Sequence, residues 1–136
     1  MMICDAGEEF VPRRATKLSA GYDFFATEDI VIKAGEYTKV DTKVHLEPGT
    51  LMWNQVMFIL PRSSSGNVHG LRLRNTEGAI DADYTGNISA VLTADEDVII
   101  HKGERYMQGI VVNYNIIPLE ITPTVDRRGG VGSTGR

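Results

Sequence analysis

The sequence predicts an all-β domain, folded as a sandwich or barrel. Three observations carry that expectation. No window holds a sustained apolar period of 3.6 residues. Turn signals return roughly every ten residues. Several runs alternate apolar and polar residues, most clearly 37–46, where Val40, Thr42, Val44 and Leu46 share one face and Lys39, Asp41, Lys43 and His45 the other.

The elements follow in order. Over residues 1–19, Pro12, Arg13, Arg14 and Lys17 interrupt the apolar positions, so an edge strand or an extended arm is expected. The run SAGYDFFA covers 19–26, and Ile30, Val31 and Ile32 make a short strand closed by Ala34 and Gly35. The alternating strand 37–46 ends at the turn Glu47-Pro48-Gly49-Thr50. Residues 51–60 are nearly continuous apolar sequence, and Pro61 directly after them favours strand over helix. Residues 63–70 are rich in Ser and Gly and read as a loop with room for one helical turn. Leu71 and Leu73 open a strand that leads into 78–88, GAIDADYTGNI, which reads as a β-hairpin with an Asp/Thr/Gly turn. Asp95-Glu96-Asp97 is a turn, 98–100 a short strand, and 107–117 a long strand closed by Pro118. Residues 126–136 hold four of the fourteen glycines and no apolar pair, so the chain divides into a β domain over 1–125 and a flexible Gly-rich tail over 126–136. So many strands with so little helix leave sheet edges to be covered, by closure or by oligomerising.

Composition narrows the classes of function. At 136 residues with 42% apolar content, the chain is long enough for one domain with a real core. A net charge of −4 gives no general nucleic-acid or membrane surface. The single cysteine, Cys4, makes no internal disulfide, which suits a reducing, cytoplasmic setting. Asp5, Glu8 and Glu9 break any leader-like run, and no stretch nears the ~18 apolar residues of a membrane span.

Four segments carry chemistry. Asp81 and Asp83 stand two residues apart, so both point to one side of an extended chain, with Tyr84 directly after. The backbone of this segment offers donors and acceptors in a row that suits the edge of a planar ligand. A surface turn with solvated acids accounts for the segment equally well on its own. Arg62-Ser63-Ser64-Ser65-Gly66 follows a strand and can surround a phosphate with a guanidinium, three hydroxyls and free N–H groups, although a plain Ser-rich turn is the simpler reading of it alone. Arg105 and Gln108 stand at a strand entrance. The tail carries Arg127, Arg128, glycines, Ser133 and Thr134, a set able to grip phosphate, but without the strand–loop–helix setting of a P-loop.

Taken together, AGYDFFA, PRSSSGNVHG, GAIDADYTGNI, KGERYMQG and RRGGVGSTG resemble, in order and spacing, the five motifs of the trimeric dUTP pyrophosphatases (dUTPases). The resemblance covers residues 20–135. It implies a jelly-roll-like β fold and a homotrimer whose sites are shared between subunits, the tail of one closing over another. It implies hydrolysis of dUTP to dUMP and pyrophosphate with Mg²⁺, limiting uracil in DNA and supplying dUMP. By position, Asp81 is the carboxylate that orients and activates water for attack on the α-phosphate, and it accepts from the sugar 3′-hydroxyl. Tyr84 packs on deoxyribose. Asn75 and the main chain of 78–88, including Gly78, Ile80 and Ile88, read uracil. Ser63 donates to the leaving group, with Ser64 and Gly66 on the phosphates. Arg62 and Asp83 form an ion pair between subunits. Arg105 and Gln108 support the substrate. Arg128, Val131, Gly132, Ser133 and Thr134 belong to the closing tail, where either Arg127 or Arg128 meets the γ-phosphate. Mg²⁺ is held mainly by phosphates and water, with Asp23 near those waters. The sequence departs from the family at Val131, where a phenylalanine usually stacks on uracil, leaving Phe24, Phe25 or Tyr106 to lend a ring. It departs again at Val68, in place of a common lysine, and at Gly109, in place of an aliphatic residue. The resemblance leaves two other readings open: a dCTP deaminase of the same superfamily, and a regulatory nucleotide-binding protein that uses the same pocket.

Overall fold

The computed structural model describes residues 1–127. Its strands are β1 (Met2–Cys4), β2 (Tyr22–Phe25), β3 (Ile30–Ile32), β4 (Thr38–Asp41), β5 (Val44–Leu46), β6 (Gln55–Pro61), β7 (Arg72–Leu73), β8 (Gly78–Asp81), β9 (Ser89–Thr93), β10 (Val98–Ile100) and β11 (Arg105–Asn113), with a 3-10 turn at Glu8–Phe10 and one short helix, α1 (Ser63–His69). A four-stranded sheet runs β2-β11-β6-β8 and a three-stranded one β4-β9-β7, while β1 pairs with β5 and β10 with β3. All pairings are antiparallel. This is the all-β, jelly-roll-like fold the sequence predicts.

The core lies between the sheets. Phe24, Ile32, Ile88, Leu92 and Met107 are fully buried, with Met57, Ile59 and Tyr106 almost so. A bulge in β11 between Arg105 and Met107 breaks the alternation and turns Tyr106 and Met107 inward in succession. Gly109 of β11 faces this core. A Cβ there would stand 2.8 Å from the Met57 sulfur and 3.2 Å from a Phe24 ring carbon. The missing aliphatic side chain thus makes room for Met57. Gly109→Val is expected to cost about 1–3 kcal/mol of stability, read from the urea midpoint. An unchanged midpoint would mean that Met57 moves aside freely.

Five sequence expectations are corrected. The run 37–46 alternates in burial as read, but it is two strands in two sheets. Lys43 adopts a left-handed backbone (φ 64°). The buried Thr42 hydroxyl donates to the Ile88 carbonyl at 2.7 Å and accepts from the Val44 N–H at 3.1 Å, standing in for ladder bonds at the break. Residues 51–60 are strand only from Gln55, because the Gln55 amide N–H and side chain close a turn on Met52. Where a loop with room for one helical turn is expected over 63–70, the helix is longer, seven residues over Ser63–His69, ended by Gly70 in the left-handed conformation. The strand expected over 107–117 stops at Asn113, since its partner β6 begins at Gln55, directly opposite. Finally, 78–88 is not a hairpin. β8 pairs with β6 and β9 with β4 and β7, so the two arms belong to different sheets. No helix among the described residues is long and apolar enough to cross a membrane.

Candidate active site

The parted hairpin creates the site. Among the described residues β8 pairs only with β6, which leaves its other edge free of them. Beside that edge a cleft of about 360 Å³ opens, with Gly78 and Ile80 of β8 on one wall, Ser89, Ala90 and Val91 of β9 on the other, and Asn75 at one end. Had the arms paired, their ladder bonds would have filled this space. The unpaired backbone of β8 instead faces it, in the row of donors and acceptors that the sequence suggests. Arg74 also lines the cleft and its guanidinium lies 4.2 Å from the centroid of the Tyr37 ring. Arg74 and Ser89 carry no motif signal, and only the packing of two sheets places them here.

At the C-terminal end of β8 stand Asp81 and Asp83, both well exposed. Tyr84 is held beside them. Its N–H donates to the Asp81 carbonyl at 3.1 Å and its hydroxyl to the Asn87 carbonyl at 2.7 Å. Gly86 lets this happen, because a Cβ there would lie 2.8 Å from the Tyr84 oxygen. Arg127 reaches back onto the group. Its Nη2 donates to Asp81 at 2.5 Å, its Nε to Asp83 at 2.7 Å, and its guanidinium lies 5.8 Å from the Tyr84 ring centroid. The Asp83 hydrogen bond, with Asp81 adding to it against partial burial, holds the Arg127 guanidinium above its ordinary pKa. Two carboxylates on one side of a chain repel each other, and a forked guanidinium spanning both relieves that.

A second group gathers elsewhere. The buried Asp23 carboxylate meets Arg62 Nε at 3.2 Å and Arg105 Nε at 3.7 Å. Gln108 donates to the Pro61 carbonyl at 3.1 Å and packs on Gly21, where a Cβ would push the Gln108 amide aside. Ser63 and Ser64 follow Arg62 on the first turn of α1 and are exposed, while the Gly66 N–H closes that turn on the Arg62 carbonyl at 2.9 Å.

The two groups do not meet within one chain. Asp81 pairs with Val56 near the start of β6, whereas Ser63 follows the end of β6. At ~3.3 Å per residue, about 20 Å of strand separates them. The expected ion pair between Arg62 and Asp83 is likewise absent inside the chain, where Arg62 meets Asp23 and Asp83 meets Arg127. Ile88 is fully buried, and its N–H and carbonyl are taken by Val44 and Thr42, so its main chain is not free for a ligand. Phe24, Phe25 and Tyr106 are buried in the core, so none presents a ring to the cleft. Arg128, Val131, Gly132, Ser133 and Thr134 lie outside the described residues.

A family model described as dUTPase matches residues 8–135 of the chain. The chain belongs to the dUTPase family. The deoxyuridine 5′-triphosphate nucleotidohydrolase of Nautilia profundicola is 36% identical to it over 135 residues, covering 95% of this chain and 93% of that protein. That of Rickettsia felis is 38% identical over 133 residues, covering 92% and 88%. Among solved structures, the dUTPase of Streptococcus mutans superposes with a TM-score of 0.71 at 33% identity, covering 82% of this chain and 91% of that one. A Staphylococcus bacteriophage 80alpha dUTPase superposes with a TM-score of 0.74 at 20% identity, covering 93% of this chain and 97% of that one, a likeness of fold.

Proposed function

We propose that this dUTPase hydrolyses dUTP to dUMP and pyrophosphate, and that its sites form between copies of the chain. One observation carries the reading: a free strand edge lines a cleft and ends in a carboxylate pair beside a fixed tyrosine. Uracil lies along β8, with Asn75 and the main chain of Gly78 and Ile80 on its edge. A backbone donor facing the oxygen at position 4 rejects cytosine, whose amino group also donates. Tyr84 packs on deoxyribose and leaves no space for a 2′-hydroxyl. Asp81 accepts the 3′-hydroxyl and takes a proton from a water, whose oxygen bonds to the α-phosphorus as the bridging P–O bond breaks in line. Ser63 donates to that bridging oxygen as pyrophosphate leaves. Ser64, Gly66 and Gln108 hold the phosphates, together with the tail residues Arg128, Gly132, Ser133 and Thr134, with Val131 beside the base. Arg127 leaves Asp81 as the 3′-hydroxyl arrives. The β domain over 1–125 is the frame, and 126–136 is its closing segment.

The residues suit Mg²⁺ held by substrate. Asp23, with both oxygens facing guanidinium groups, is better placed to accept from a metal's waters than to ligate the ion. When bound, Mg²⁺ neutralises charge on the leaving pyrophosphate. The buried Cys4 thiol is free, which fits an intracellular setting. Hydrolysis here limits uracil in DNA and supplies dUMP.

Because Asp81 and Ser63 sit at opposite ends of β6, a second copy supplies the serines and a homotrimer is the natural assembly. Asp81→Asn and Ser63→Ala chains refolded together are expected to regain about a quarter of the normal sites. A mixture as inactive as its parents would put both residues in one chain's site. Tyr84→Ala is expected to narrow the preference for dUTP over UTP by about 100-fold, by kcat/KM. An unchanged ratio would remove Tyr84 from sugar choice. The experiment that tests the whole reading is pyrophosphate release from dUTP, dCTP, dTTP and UTP, with and without Mg²⁺. Release confined to dUTP and dependent on the metal supports it. Ammonia from dCTP would overturn it.

A further inference from the structure

We propose that Arg13 is an additional phosphate-binding residue, gripping the pyrophosphate end of the substrate alongside Arg62 and Arg105. The proposal rests on the hydrolase reading above, and no family motif includes Arg13.

The backbone sets its place first. The Asp23 N–H donates to the Arg13 carbonyl at 2.9 Å and the Arg13 N–H to the Asp23 carbonyl at 3.4 Å. This isolated bridge pins the irregular arm to β2 at the one residue whose carboxylate holds Arg62 and Arg105. The Arg13 guanidinium then lies 4.3 Å from the centroid of Phe25, a ring that Arg105 approaches at 5.6 Å. One nearly buried ring therefore carries two cations, and a buried carboxylate carries two, with Arg105 common to both.

The charges do not balance. Arg62 and Arg105 share a single carboxylate, Asp23, and Arg13 adds a third cation over the Phe25 ring that Arg105 also approaches. Among the described residues Arg13 makes no ion pair, and its one side-chain hydrogen bond goes to the Glu9 carbonyl at 3.2 Å. The neighbouring Arg14 differs: its Nη1 points into the carbonyls of Thr16, Lys17 and Ser19, the shortest at 2.7 Å to Lys17, so its guanidinium is turned onto its own loop. Arg13 thus keeps most of its five donors unused, on a side chain held in place by stacking. Unspent cationic forks in a chain of net charge −4 call for an anion of several charges. The serines that follow Arg62 place the same demand on the same end of β6. A polyphosphate carries enough charge to satisfy all of them, whereas a monophosphate does not.

The test is titration of the full-length protein with inorganic pyrophosphate and, separately, with dUMP. Arg13→Gln is expected to weaken pyrophosphate about tenfold while dUMP stays within about twofold. The salt dependence of pyrophosphate binding should also flatten, because one cationic contact is lost. Arg13→Lys keeps the charge and not the fork, so it should fall between the two. If Arg13→Gln does not fold, Arg13→Lys carries the comparison, and a selective loss of pyrophosphate still supports the site. An equal loss for both ligands would make Arg13 structural and overturn the proposal. So would unchanged pyrophosphate binding, or none by the unaltered protein. A protein that fails to hydrolyse dUTP yet shows the selective loss would sink the hydrolase reading and leave the anion site standing.

Discussion

Asp81→Asn is expected to lower dUTP turnover by about a thousandfold, the share a positioned general base ordinarily contributes. Asparagine has the same shape and still accepts from a 3′-hydroxyl, so dUTP should bind within a few fold of normal. What disappears is a basic oxygen able to take the proton of the attacking water. The side chain is exposed at the end of an edge strand and, among the described residues, forms its ion pair and hydrogen bond with Arg127 alone, so the fold should not suffer. Single-turnover rates beside dUTP affinity would check this. Rates within threefold of normal would mean that another group activates the water.

Removing residues 127–136 is expected to reduce turnover by about 100-fold or more while the melting temperature stays within a few degrees. The stability half of this follows from packing. Ile117, Leu119, Ile121 and Val125 are largely exposed and none belongs to the core, so the chain beyond β11 adds little to it. The activity half follows from what leaves: the donors of the closing segment and Arg127, whose Nε holds Asp83. Positioning and fixed charge supply most of the rate in phosphoryl transfer, so losing several such contacts together is costly. A truncated chain that melts early would make the segment part of the fold.

Of the site, the part legible in the sequence was the part encoded locally. Asp81, Asp83 and Tyr84 are neighbours along the chain, and a strand's period of two puts the two acids on one side whatever lies around them. Arg62 and Ser63 are adjacent too. The alternation of Val40, Thr42, Val44 and Leu46 was correct for burial even where the strand was cut. The pairings that cross the fold were not legible. Arg127 on Asp81 and Asp83, Asp23 between Arg62 and Arg105, and Arg13 over Phe25 all join residues whose separation carries no period.

The amino-acid sequence by itself determined that the chain is all-β, where the acids, serines and arginines stand, and the family to which their order belongs. Only the tertiary structure decided that the arms of 78–88 part into two sheets and leave a cleft between them. The same arrangement puts Asp81 and Ser63 at opposite ends of one strand. The reason is that alternation specifies which face a residue shows, while strand partners are chosen by the packing of two sheets over a shared core.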